Sequence, residues 1–107
     1  MDPQTVRASH ILVSYRGAQS ATSSRSRDDA KAAVIRVAQA LADGGDFAEL
    51  ARAHSDCPSK AKGGDLGTFG KGRMVAKFEQ TAFHLDVGAT SHIVETPFGF
   101  HIIRRTA

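Results

Sequence analysis

β-Branched and aliphatic side chains crowd the stretch from Val6 to Val13, which predicts a strand. Ser14 to Arg27 is polar, with Gly17 and five serines, and predicts an exposed loop. From Asp28 to Ala42 the pattern changes period. Val34, Val37, Ala38 and Leu41 fall at i, i+3, i+4 and i+7, the apolar stripe of a helix. Ser26 suits its N-cap, Asp28 and Asp29 suit the first turn, and Gly44 suits the stop. Asp46 with Glu49 has the spacing of a capping box and opens a second helix, with Phe47, Leu50 and Ala51 inward. Leu66 to Phe69 predicts a short strand, and Met74 to Phe83 a helix presenting Phe78 and Ala82 on one side. Ser91–Glu95 and Phe100–Arg105 predict two strands joined by the turn Thr96-Pro97-Phe98-Gly99. The order strand, helices, strand, helix, strand, strand defines an α+β domain, a small sheet covered by helices. If the first and last strands are neighbours, the period of two lets His10 and His101 project from one face.

Composition narrows the class without naming a function. A chain of 107 residues predicts one domain, 1–107, with residues 1–5 as a flexible N-terminus. The hydrophobic fraction of 41% and charged fraction of 23% are ordinary for a soluble globular protein. Lys and Arg number 14 against 11 acids, a net charge of +3. The basic residues are scattered among acids, so nucleic acid is not an expected partner. No apolar stretch approaches a membrane span, so no membrane is expected. Cys57 is the only cysteine, which excludes an internal disulfide and points to a reducing compartment. Met1 to Thr5 lacks the basic and apolar regions of a signal peptide, so the expected location is cytoplasmic. No His/Cys/Asp spacing resembles a metal site. Monomer is the default.

Most of the candidate chemistry sits in four short runs. Ala8-Ser9-His10-Ile11-Leu12-Val13 opens the chain, and Phe98-Gly99-Phe100-His101-Ile102-Ile103 closes it. Between them lie the run Ser55 to Phe69, which holds Cys57 and the glycines 63 and 64, and Gly72 to Phe78, with Met74 and Phe78 four apart. Singly, Cys57 fits a small buried hydrophobe, His10 a satisfied core histidine, and Met74 with Phe78 a core pair. In this order and at these spacings, together with Phe47-Ala48-Glu49-Leu50-Ala51, they resemble the parvulin family of peptidyl-prolyl cis/trans isomerases over nearly the whole chain, Val6 to Arg105.

The resemblance implies a four-stranded antiparallel sheet surrounded by four helices, in the order β-ααα-β-α-β-β, a stand-alone catalytic domain and no cofactor. It implies rotation of Xaa-Pro bonds in proline-containing peptides and proteins, in folding or conformational switching. Residue by residue, Leu66, Met74 and Phe78 match the proline-ring pocket, and Phe98 matches a further substrate-lining position. His10 and His101 match the paired histidines, Cys57 the residue beside the carbonyl, Thr96 the hydroxyl within this network, and Ser59 a serine near the same site. The expected arrangement is a polar hydrogen-bond network of Cys57, His10, His101 and Thr96 beneath the substrate carbonyl, with a non-covalent twist. Parvulins with Asp at the Cys57 position are active, which argues against an obligatory thiol nucleophile.

The loop 14–27 is the expected seat of substrate preference. Pin-type parvulins carry a basic cluster there that binds phosphate on Ser or Thr before proline. Arg16, Arg25 and Arg27 are candidates for such a cluster. Ser14, however, stands where that subfamily has lysine, and the adjacent arginine pair is not reproduced. A solvated loop carrying a few arginines is the alternative. Two other function classes stand beside the isomerase: a non-catalytic proline-peptide-binding or chaperone module, and a cysteine hydrolase built on Cys57.

Overall fold

Strand β1, Thr5–Val13, and strand β4, Gly99–Arg105, form the centre of an antiparallel sheet ordered β2-β1-β4-β3. The outer strands are β2, Asp65–Gly70, and β3, Val94–Thr96. The computed structural model describes residues 4–107. The flexible N-terminus expected over 1–5 therefore lies mostly outside the described residues, and Thr5 already pairs with Gly70. Three α-helices and one 3-10 turn complete the domain: α1, Arg27–Ala42; α2, Phe47–His54; the turn Pro58–Lys62; and α3, Ala76–His84. The α+β class and antiparallel sheet are as expected, with the third of the four implied helices a 3-10 turn.

Capping explains where the long helices start. The Ser26 hydroxyl accepts the Asp29 N–H at 3.1 Å, and Asp46 Oδ2 accepts the Glu49 N–H at 3.0 Å. Glu49 itself turns to Arg52, 3.1 Å away, so only one half of the capping box forms. Two expected boundaries move. Val75 is extended (φ −59°, ψ 146°), so α3 begins at Ala76 rather than Met74. Ser91 and His92 lie outside the last hairpin. The Ser91 hydroxyl accepts the Ile103 N–H at 2.9 Å, taking the role of a strand carbonyl, and regular pairing starts only at Val94.

The two faces of the sheet carry separate cores. Ile11, Val13, Phe100 and Ile102 face α1 and α2, meeting Ala30, Val34, Val37, Phe47 and Ala51. Val6, Ala8, Ile103 and Val94 face α3, meeting Phe69, Phe78 and Ala82. Side chains alternate along a strand, so His10 shares the α3 face with Ala8, and His101 shares it with Ile103. His10 is registered opposite Ile103 and His101 opposite Leu12, which makes the two histidines diagonal neighbours.

Candidate functional site

His10 and His101 are 5% and 4% exposed, and their Nδ1 atoms lie 3.1 Å apart. His101 Nε2 is 2.7 Å from Thr96 Oγ1, and that oxygen accepts the Phe98 N–H at 3.2 Å. A hydrogen-bonded chain thus runs from the turn between β3 and β4, through both imidazoles, to the middle of the sheet. The assignment with fewest unpaired groups has the Thr96 hydroxyl donating to His101 Nε2 and His101 Nδ1–H donating to His10 Nδ1. His10 Nε2 then carries the remaining hydrogen. Among the described residues it is buried without a partner, as is Ser59 Oγ.

Phe78 closes this chain from the α3 side. Its ring stands nearly perpendicular to both imidazoles, with centroids 5.5 Å from His10 and 5.4 Å from His101. Leu66 and Met74 are partly buried against the cluster that contains Phe78. Burial disfavours the charged imidazolium and lowers His10 to about 4. Burial first, and the proximity of His10 second, lower His101 to about 3. Both rings are therefore neutral near pH 7. Backbone approach on the other side of β1 is equally tight. Gly64 (φ +89°) gives its carbonyl to the His10 N–H at 2.9 Å, and a Cβ there would run into the His10 carbonyl oxygen.

Among the described residues, the Cys57 side chain makes no hydrogen bond to the network of His10, His101 and Thr96. Segment 55–57 is stitched along the end of β1. Ser55 Oγ accepts the Leu12 N–H at 3.0 Å and the Cys57 N–H at 3.3 Å, and the Asp56 N–H donates to the Leu12 carbonyl at 2.7 Å. Cys57 caps the 3-10 turn and is half-buried, and its thiol makes no hydrogen bond among the described residues. The polar chain therefore consists of Thr96, His101 and His10 without Cys57. Cys57 borders a pocket of about 220 Å³, shared with Phe98, Leu12 and the loop residues Gln19 to Thr22.

Two of the three loop arginines, Arg25 and Arg27, are held apart by carboxylates that local sequence spacing could not connect to them. Arg25 Nη1 lies 2.7 Å from Asp56 Oδ2, which also accepts the Ser14 N–H at 2.9 Å and the Ser14 hydroxyl at 3.3 Å. Arg27 binds Glu95 through both nitrogens, at 2.9 and 2.7 Å, and its guanidinium lies over the Phe100 ring. The Tyr15 hydroxyl donates to the same carboxylate at 2.8 Å. The Arg27 guanidinium, then Tyr15, hold Glu95 down to about 2. Arg16 is exposed and makes no ion pair among the described residues. Asp56, Glu95 and Tyr15 were missed by sequence reasoning. The only signal was the adjacency of Asp56 to Cys57.

A pair of neutral, buried histidines roofed by an aromatic ring and linked to a hydroxyl is suited to positioning a peptide without breaking its bonds. Comparison with known proteins agrees with that class. Residues 1–107 match the family described as the PPIC-type PPIASE domain. The chain is 43% identical over 117 residues to "Peptidyl-prolyl cis-trans isomerase Pin1" of Digitalis lanata, covering 99% of each protein. It is 43% identical over 102 residues to "Foldase protein PrsA" of a Geobacillus species, covering 94% of this chain and 32% of that protein. Among solved structures, "Peptidyl-prolyl isomerase ESS1 from Candida albicans" superposes with a TM-score of 0.90 at 38% identity, over 97% of this chain and 63% of that one. The chain belongs to the parvulin, or PPIC-type, peptidyl-prolyl cis/trans isomerases, and its reaction is rotation about the bond that precedes proline.

Proposed function

We propose that this domain turns Xaa-Pro bonds by a non-covalent twist, with Leu66, Met74 and Phe78 gripping the proline ring. His10, His101 and Thr96 form the polar floor, and Cys57 and Phe98 flank the moving carbonyl. The observation that carries this reading is the Thr96–His101–His10 chain lying against Phe78, with contacts of 2.7 and 3.1 Å. Amide resonance sets a rotation barrier of ~18–20 kcal/mol. The planar states carry more charge separation than the twisted one. A site of low polarity therefore raises the planar amide relative to the transition state. Neutral histidines keep that polarity low, where charged ones would not. The buried donor at His10 Nε2 has no partner among the described residues and is free to serve a polar atom of the bound peptide.

A covalent route through Cys57 has less support. A cysteine nucleophile needs an adjacent base. The Cys57 thiol is hydrogen-bonded to neither histidine. The same observation disfavours a cysteine hydrolase. The clients are proline-containing polypeptides and folding intermediates. The domain acts as a monomer in the cytoplasm, and no helix among the described residues is long and apolar enough to cross a membrane. NMR exchange spectroscopy on an Ala-Pro peptide tests the reading. Accelerated cis/trans exchange that survives in Cys57→Asp supports the non-covalent twist. Loss in a folded Cys57→Asp protein would restore the covalent route. Binding without acceleration in the wild type would make the domain a recognition module.

A further inference from the structure

Glu95 stands behind the hairpin whose front carries the polar floor. Thr96 meets His101 on the α3 face of the sheet, and alternation sends its neighbour Glu95 to the α1 face, registered opposite Phe100. There one carboxylate gathers both ends of loop 14–27. Tyr15, at the start of the loop, donates to Oε2 at 2.8 Å. Arg27, at its end, donates to Oε2 and Oε1 at 2.9 and 2.7 Å. The Tyr15 ring centroid lies 5.6 Å from that of Phe100, and the Arg27 guanidinium lies 5.3 Å from the same ring. The Arg16 N–H closes the neck of the loop on the Arg25 carbonyl at 2.9 Å, and the Gln19 N–H reaches the Pro97 carbonyl at 2.9 Å. On the far side Asp56 collects Ser14 and Arg25 in the same way. Glu95 is the carboxylate that fastens the loop ends to the hairpin.

From this arrangement we propose that Glu95 is a positioning residue for the isomerase: it clamps both ends of loop 14–27 to the β3–β4 hairpin and keeps the loop closed beside the site before a peptide arrives. Its carboxylate lies on the face away from His101 and acts through the loop. This rests on the functional reading above, in which Thr96, Phe98 and His101 of the hairpin serve the peptide. A single exposed ion pair would hold a loop weakly. This one is bidentate, shares its carboxylate with a phenol and lies on an aromatic ring, and each of these strengthens it. A loop fastened for only part of the time offers a competent site for only that fraction, and apparent affinity falls by the same factor. Turnover of bound peptide is set elsewhere. The Thr96–His101–His10 chain lies on the opposite face of the sheet and is held by its own hydrogen bonds. Loosening the clamp therefore raises KM and spares kcat, whereas damage to the polar floor lowers kcat.

The test follows one Ala-Pro peptide with the wild type, Glu95→Gln and Tyr15→Phe. Chemical-shift titration reads the dissociation constant, and NMR exchange spectroscopy reads KM and kcat. Glu95→Gln keeps the shape of the side chain and loses the charge that holds Arg27. It should raise KM and the dissociation constant about fivefold or more, with kcat within about twofold of the wild type. Tyr15→Phe keeps its ring beside Phe100 and loses only the hydroxyl, so the same two constants should rise by less. Combined with Glu95→Gln it should add nothing, because both act on one clamp. Backbone amide relaxation should show new motion between Tyr15 and Arg27 in free Glu95→Gln, quenched by saturating peptide. A merely structural role would lower the melting temperature with KM unmoved, and that result would overturn the proposal, as would a fall in kcat without a rise in KM. Absence of exchange with the wild type would instead overturn the isomerase reading, and the dissociation constants would then decide the clamp by themselves. If Glu95→Gln fails to fold, Tyr15→Phe decides, and an unchanged KM there would overturn the proposal.

Discussion

Acid should unfold this domain through its two buried histidines before its carboxylates are protonated. The perturbation is a shift from pH 6.5 to pH 4.5. An unfolded imidazole titrates near 6.5, whereas His10 is held at about 4 and His101 at about 3 in the fold. Between these values the unfolded chain binds protons that the folded chain refuses. Stability is therefore complete above pH 6.5 and falls as the pH drops toward the folded values. Each group costs about 1.4 kcal/mol per pH unit in this window, so the pair costs about 5 kcal/mol by pH 4.5. That is a large part of the 5–15 kcal/mol available to a typical domain. Glu95 and Asp65, both lowered by arginine partners, work in a lower window. Their contribution is complete above the ordinary carboxylate range and is lost only as pH falls below about 4.5. Urea unfolding followed by circular dichroism at pH 7.5, 6.5, 5.5 and 4.5, at constant ionic strength, measures the slope. His101→Asn should roughly halve it. Stability unchanged between pH 6.5 and 4.5 would refute the reasoning. So would His10 or His101 ring resonances titrating near 6.5 in the folded protein.

Phe78→Ala removes the roof over both imidazoles from a position only 3% exposed, and a thermal melt should report a loss of about 3–5 kcal/mol. Gly64→Ala forces a Cβ toward the His10 backbone at positive φ, and should cost more than about 2 kcal/mol by urea unfolding while displacing His10 from His101. Retention of wild-type stability would show that β1 and the 63–64 turn can separate. Thr96→Val leaves His101 Nε2 and the Phe98 N–H unpaired, at about 1–3 kcal/mol for each buried group. Peptide exchange in this variant should slow about tenfold or more, and an unchanged rate would remove Thr96 from the polar floor.

Local chemistry was legible where it acts locally. Ser26 and Asp46 cap their helices through neighbours three residues on, so sequence spacing alone located both starts. The period-two argument put His10 and His101 on one face, because both belong to strands long enough for alternation to govern them. Features that depend on distant partners were not legible. Arg25 meets a carboxylate 31 residues away, and Arg27 meets one 68 residues away. Ser91 falls in the predicted strand, whereas in the fold its hydroxyl accepts the Ile103 N–H where a strand carbonyl would. The thiol of Cys57 was expected in the histidine network. Segment 55–57 is pinned along β1 by contacts to Leu12, and Cys57 lines the loop pocket without a hydrogen bond to either histidine among the described residues.

The antiparallel pairing of β1 with β4 also sets the outer ends of the two strands apart from the proposed site. Ala8 lies opposite Arg105 at one rim of the sheet, and the Thr106 N–H reaches back to the Arg7 carbonyl at 2.8 Å. His10, His101 and the β3–β4 turn occupy the middle and the opposite rim. A polypeptide entering at Thr5 and leaving at Arg105 passes through two adjacent strands, ~5 Å apart. Any chain continuing from these two strands leaves the sheet at the rim opposite the β3–β4 turn, away from the proposed site.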